Sequence, residues 1–203
     1  MVTLEQLLES RDRRAVRQRQ LLEAWPGLSL VCFTVQLPGT EKRNAVSLKI
    51  ADAGVEAIRK AFSPEYEELK DLETGFEGFF VLSLDPFQAK RITCEIEDTH
   101  PLGRLMDIDV LTSVMPSPDR ASARPTASEN YFSGRYPKNQ FSDAIANPAH
   151  ADAVPVGRED IGLSPRRCLL CGKPARFCMR AKSHTTQELL DKIDRMLDSY
   201  LNI

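Results

Sequence analysis

The chain has 203 residues, a formal net charge of −2, and is 42% hydrophobic and 28% charged. That length and apolar fraction suit one compact domain with appendages, or two small ones at most. The near-neutral charge leaves no global drive toward nucleic acid, and no apolar run reaches the length of a bilayer-spanning helix, so neither nucleic acid nor a membrane is expected as a partner.

The first residues, MVTLEQLLESRDRR, lack the apolar core of a signal peptide. Thr3 and Gln6 have capping-box spacing, and Leu4, Leu7 and Leu8 follow at helical spacing. The pattern resumes through Ala15, Leu21, Leu22 and Trp25 until Pro26-Gly27 ends it. The intervening arginines read as a solvated helix face, with Arg11, Arg14 and Arg17 as the alternative candidates for anion binding. Residues 28–37 (LSLVCFTVQL) read as a strand buried on both faces, stopped by Pro38-Gly39. Thr40, Glu41 and Lys42 lead into a helix expected over residues 43–62, with Val46, Ile50, Val55, Ile58 and Phe62 as core contacts. Strand, glycine turn, lysine and helix together suit phosphate binding, although the pattern is not that of a P-loop.

Residues 79–84 (FFVLSL) read as a further strand. Residues 91–97 read as another, with Ile92, Cys94 and Ile96 on one face and Thr93, Glu95 and Glu97 on the other. After a DTHPL turn comes GRLMDIDV, an apolar strand in which Asp107 and Asp109 share one face and Met106, Ile108 and Val110 the other. Two unpaired carboxylates this close are costly through desolvation and repulsion. A divalent cation removes both costs, which makes the pair a candidate Mg²⁺ site for phosphoryl or nucleotidyl transfer. With strand 91–97 as its antiparallel neighbour, Glu95 or Glu97 would add a third carboxylate to that face, or else line a solvated sheet edge.

Residues 113–164 are rich in Ser, Pro, Ala, Asn and Asp, and Tyr131, Phe132, Tyr136 and Phe141 show no period. They read as a long flexible insertion, with no catalytic role for His150. Cys168-x₂-Cys171-x₆-Cys178-x₅-His184 then has the spacing of a compact Cys₃His zinc site. Such a site would be structural, because four protein ligands leave no open position; the alternative is three small apolar side chains packing into the core. Five cysteines in all, three of them clustered, argue for a reducing, cytoplasmic setting rather than a disulfide framework. Arg166, Arg167, Lys173, Arg176, Arg180 and Lys182 make the segment basic, which suits a phosphate-bearing or acidic partner. Thr185-x-x-Glu188 opens a terminal amphipathic helix through Leu189, Leu190, Ile193, Met196, Leu197 and Tyr200. The expected organisation is therefore a core over residues 1–112, an insertion over 113–164, and a Cys/His segment with a terminal helix over 165–203.

The blocks RDRRAVRQ, FTVQLPGTEK, HPLGRLMDIDV and RRCLLCGKPARFCMRAKSH, in this order, resemble the citrate lyase holo-acyl-carrier-protein synthases. That family is also called the apo-citrate lyase phosphoribosyl-dephospho-CoA transferases. The resemblance runs to both ends of the chain and leaves residues 113–160 largely outside it. It implies an α+β, nucleotidyltransferase-like fold with a mixed or antiparallel sheet and flanking helices. It also implies transfer of phosphoribosyl-dephospho-CoA from 2′-(5″-triphosphoribosyl)-3′-dephospho-CoA to a serine of the citrate lyase acyl-carrier (gamma) subunit, with loss of pyrophosphate. Under that resemblance Asp107 and Asp109 would hold Mg²⁺, and one of them, Glu95 or Glu97 would take the serine proton. Lys42, Arg104, Arg14, Arg17 and Gly103 would hold phosphates, and His100 would either bind phosphate or fix its turn. The same residues leave two other readings open: a related transferase for another carrier, of the malonate decarboxylase type, and a zinc-stabilised adaptor with no need of the aspartates.

Overall fold

Helix α1 (Leu4–Ala24) begins at the reciprocal Thr3/Gln6 capping box and gives way at Trp25 to Pro26 and a left-handed Gly27 with φ of 81°. The structure is a computed structural model and describes residues 2–114 and 152–202. After α1 come β1 (Ser29–Val35), α2 (Ala45–Ala61), β2 (Tyr66–Leu72), β3 (Gly75–Leu82), α3 (Pro86–Thr99) and β4 (Met106–Val114). Then follow β5 (Asp152–Val156), α4 (Ala175–Ala181) and α5 (Thr186–Leu201). The strands form one sheet in the order β2-β3-β1-β4-β5, and every pairing is antiparallel. The architecture is α+β. Among the described residues no helix is long and apolar enough to cross a membrane.

Alternation along the strands divides the side chains between two faces. Val31, Phe33, Phe80, Leu82, Met106, Ile108 and Val110 belong to the larger core, together with Ile50 and Ile58 of α2 and Ile96 of α3. Ile193 and Leu197 bring α5 into the same cluster. A Cβ on Gly54 would lie 2.3 Å from the Phe33 ring, so α2 reaches the sheet only because residue 54 has no side chain. The opposite face buries Leu30, Cys32, Phe79, Val81 and Leu111 beneath Leu21 and Leu22 of α1.

Two expectations need correction, and one strand is unanticipated. Residues 91–97 are helical, lying inside α3, and the strand expected there does not exist. Six alternating residues fit either period, but Asp85 caps α3 with Pro86 in its first turn, and Ala89, Lys90, Thr93, Cys94, Ile96 and Glu97 form its buried stripe. Strand β2 (YEELKDL) escaped notice because its charge suits a solvated edge strand. Within the expected insertion, residues 152–156 pair with β4, and Pro155 is tolerated because β5 is a sheet edge. The expectations for Tyr131, Phe132, Tyr136, Phe141 and His150 lie outside the described residues.

The edge strand also carries an acid-sensitive cluster. Glu68 accepts bonds from Arg17 at 2.8 and 2.6 Å and from the Tyr66 hydroxyl at 3.0 Å, and pairs with Lys70 at 2.8 Å. Partial burial works against its charge, but these donors outweigh that effect and hold its carboxyl at about 2, below the ordinary 4.5. Because the folded state lowers this pKa, the stabilisation is complete above about 4.5 and is lost as pH falls toward 2. The melting temperature should therefore drop across that window, and Glu68→Gln should flatten the drop in a calorimetric pH series.

Candidate functional site

The strand register assembles an acidic face. Thr34 of β1 lies opposite Asp107 on one side and Glu77 of β3 on the other, and Cys32 lies opposite Asp109. Glu77, Thr34 and Asp107 therefore form one row across three strands, with the outer Cα atoms about 10 Å apart from strand spacing. Asp109 is open to solvent yet crowded by surrounding protein; this desolvation, then the Asp107 charge, raises its carboxyl above the usual range. The Asp107 side chain is 35% exposed and receives Arg166 Nη1 at 2.9 Å.

Glu77 is the third carboxylate of this face, in place of Glu95 or Glu97. Sequence reasoning missed it by starting β3 at Phe79; the alternation of Glu77 and Phe79 with Gly78 and Phe80 carried the signal. Glu77 is 5% exposed, and burial raises its carboxyl. The Ser10 hydroxyl donates to it at 3.4 Å, and Arg14 Nη1 lies 3.5 Å away. Arg14 also acts electrostatically on Asp109 and so stands near both acids. Arg17 is turned away, tied to Glu68 and Tyr66. Arg11 is exposed on α1.

Neither Glu95 nor Glu97 shares the aspartate face. Both are on α3, where Glu95 is exposed and Glu97 is buried. Strand β5 ends opposite Val110, so the preceding backbone groups of β4 need other partners. Glu97 Oε1 accepts the Ile108 amide at 3.0 Å, Lys90 Nζ donates to the Ile108 carbonyl at 3.1 Å, and Arg166 Nη2 donates to the Met106 carbonyl at 2.6 Å. Glu97 Oε2 pairs with Arg158 at 3.0 Å. Burial raises the Glu97 carboxyl, against the pull of Arg166. Glu97 therefore fixes the strand that bears the aspartates instead of joining them.

The other expected ligands are held by local structure. The Leu102 amide donates to His100 Nδ1 at 3.1 Å, and the imidazole lies 5.5 Å from the Tyr200 ring, so His100 fixes its turn. Burial lowers its pKa. A Cβ on Gly103 would sit 2.4 Å from the Ile96 carbonyl, which makes this glycine a close-packing residue against α3. Arg104 donates to the Arg167 carbonyl. Lys42 Nζ donates to the Leu37 carbonyl at 2.5 Å, and burial lowers its pKa.

The C-terminal cluster is brought together as its spacing predicts. Ligand atoms of Cys168, Cys171, Cys178 and His184 all lie within 4.8 Å of one another, and the Cys171 and Cys178 sulfurs are 3.5 Å apart. His184 Nε2 is the sole buried side-chain nitrogen or oxygen without a hydrogen-bond partner among the described residues. Burial opposes ionisation of Cys168, but the amides of Leu170 and Cys171 and the neighbouring thiols outweigh it and lower the thiol to about 7. Burial and the same thiols push Cys178 up to about 11. An orphaned imidazole nitrogen facing three sulfurs, one of them readily ionised, is a donor set that could hold a metal ion.

Residues 2–126 and 147–200 match the family profile described as apo-citrate lyase phosphoribosyl-dephospho-CoA transferase. A Shigella boydii protein of that name is 31% identical over 202 residues, covering 97% of this chain and 89% of the relative. An Escherichia coli protein of the same name matches equally. The Haemophilus influenzae Protein CitXG is 30% identical over 98% of this chain, which spans only 36% of that longer relative. The chain belongs to the apo-citrate lyase phosphoribosyl-dephospho-CoA transferase family.

Proposed function

We propose that this protein is a nucleotidyltransferase-type enzyme that moves a phosphoribosyl-dephospho-CoA group from its triphosphate donor onto a serine of the apo-citrate lyase acyl-carrier subunit, releasing pyrophosphate. The observation that carries the reading is the Asp107/Asp109 pair on one accessible face of a strand held from its other edge by Glu97 and Lys90. Two hard oxygen donors of this kind fit Mg²⁺, which would supply charge neutralisation at the attacked phosphorus and on the leaving pyrophosphate. The protein's own residues do the rest. Arg14, steadied by Glu77 and close to Asp109, offers a cationic group for the donor's phosphates. A carboxylate oxygen of this face that the cation leaves free would accept the serine proton. Pyrophosphate release should require Mg²⁺, the triphosphoribosyl donor and the apo-carrier together; release without the carrier, or none with all three, would contradict the reading.

The Cys168, Cys171, Cys178 and His184 cluster is proposed to hold structural zinc, which fits their Zn–S and Zn–N chemistry. Three thiols kept for a metal suit a reducing, cytoplasmic setting. Elemental analysis should find about one zinc per chain, and Cys178→Ser should lose it and melt at lower temperature. A folded, active, zinc-free preparation would contradict this assignment.

A further inference from the structure

Arg166 connects the two ends of the molecule. Its backbone belongs to the cysteine segment: its carbonyl accepts the Ala175 amide at 2.8 Å, and the Cys168 amide donates to the Lys173 carbonyl at 2.7 Å. Its side chain reaches the catalytic strand, with Nη1 on Asp107 at 2.9 Å and Nη2 on the Met106 carbonyl at 2.6 Å. Its Nε lies 3.8 Å from Glu97 Oε2, too far for a hydrogen bond. Glu97 attracts it across that distance, while Arg158 pairs with the same oxygen and the Ile108 amide occupies the other. Arg158 is the structural partner, also bound to Asp98 and to the Ser164 carbonyl at 3.2 Å. Arg166 is thus a second cation at the same corner, and the carboxylate it hydrogen-bonds is an aspartate of the accessible face.

A cation bound through Asp107 Oδ1, the oxygen that Nη1 holds, displaces that ion pair. Glu97 and the Met106 carbonyl would still tether the guanidinium, so only Nη1 loses its partner, beside the cation and within reach of a phosphate that the cation binds. We propose that Arg166 is a substrate-contacting residue of the transfer site: it neutralises Asp107 while no divalent cation is present and, once the cation takes Asp107, turns Nη1 onto a phosphate oxygen of the donor. The inference rests on the reading of the aspartate pair as a divalent-cation site. It explains why a basic cysteine segment is pinned to this strand: the segment delivers the arginine. A planar guanidinium can keep one N–H on Met106 while offering another to phosphate, which an ammonium cannot do in the same geometry.

The test titrates the intact protein with Mn²⁺, read by electron paramagnetic resonance, with and without inorganic tripolyphosphate. Without tripolyphosphate, Arg166→Gln should bind Mn²⁺ at least about threefold more tightly, because the competing positive charge is gone. With Mn²⁺ present, the same variant should bind tripolyphosphate about tenfold more weakly, the loss of one charge-assisted hydrogen bond. Arg166→Lys should keep wild-type Mn²⁺ affinity and still lose most of the tripolyphosphate affinity, and it carries the test if the Gln variant does not fold. A merely structural arginine would weaken both affinities together or change neither, and either result overturns the proposal. If wild-type protein binds no Mn²⁺, or binds it equally after Asp109→Asn, the cation reading itself fails; if only the Arg166 variants behave as wild type, the role of Arg166 alone fails.

Discussion

Asp109→Asn is expected to reduce pyrophosphate release by about 10²–10³-fold or more, the scale seen when charge stabilisation is removed from a transition state. The same substitution should leave the melting temperature unchanged or higher. Burial and the Asp107 charge already raise the Asp109 carboxyl, so the folded state holds its anion at a cost that asparagine does not incur. Activity and stability then move in opposite directions, as expected of a carboxylate kept for chemistry. Turnover measurements beside a calorimetric melt check both halves. A rate within tenfold of wild type would remove Asp109 from the catalytic centre, and a large drop in melting temperature would make it structural.

Glu97→Ala is the largest expected stability effect. The substitution strands Arg158, which is 13% exposed, and deprives the Ile108 amide of its acceptor. Breaking a buried pair from one side costs about 3–5 kcal/mol, and the contact Arg158 keeps with Asp98 places the expectation near the lower figure. Glu97→Gln retains an acceptor for Ile108 and should cost less. Because Glu97 braces the backbone between the two aspartates, the Ala variant should also lose transfer activity at temperatures where it remains folded. Urea unfolding reads the first effect; a loss below about 1 kcal/mol would mean that Glu97 does not hold the strand.

The parts of this fold that were readable in the sequence are those where local chemistry and burial agree. The Thr3 and Thr185 capping boxes, β1, α2 and the Asp107/Asp109 strand follow from caps and periodicity, and each forms near its expected place. The Cys₃His cluster follows from ligand spacing. What was not readable depends on pairing across long separations. Glu97 alternates with Cys94 and Ile96 as convincingly in a strand as in a helix, and only the Asp85-Pro86 start decides. Glu77 gains its meaning from lying opposite Thr34, which lies opposite Asp107; that register is a property of three strands and not of any one of them. Arg166 stood out only as part of a basic run. Its contact with Asp107 spans 59 residues of chain and depends on how the cysteine segment folds back. His100 and Gly103 sit beside the aspartates in sequence, but hydrogen bonding and close packing on α3 account for both.

The most direct test of the central claim is the intact mass of the acyl-carrier subunit after incubation of apo-citrate lyase with this protein, Mg²⁺ and the triphosphoribosyl-dephospho-CoA donor. The carrier should gain the mass of one phosphoribosyl-dephospho-CoA group, located on a serine, with wild-type protein and not with Asp109→Asn. A carrier of unchanged mass with wild-type protein, or an equal gain with the variant, would contradict the assignment of Asp107 and Asp109 as the centre of a prosthetic-group transferase.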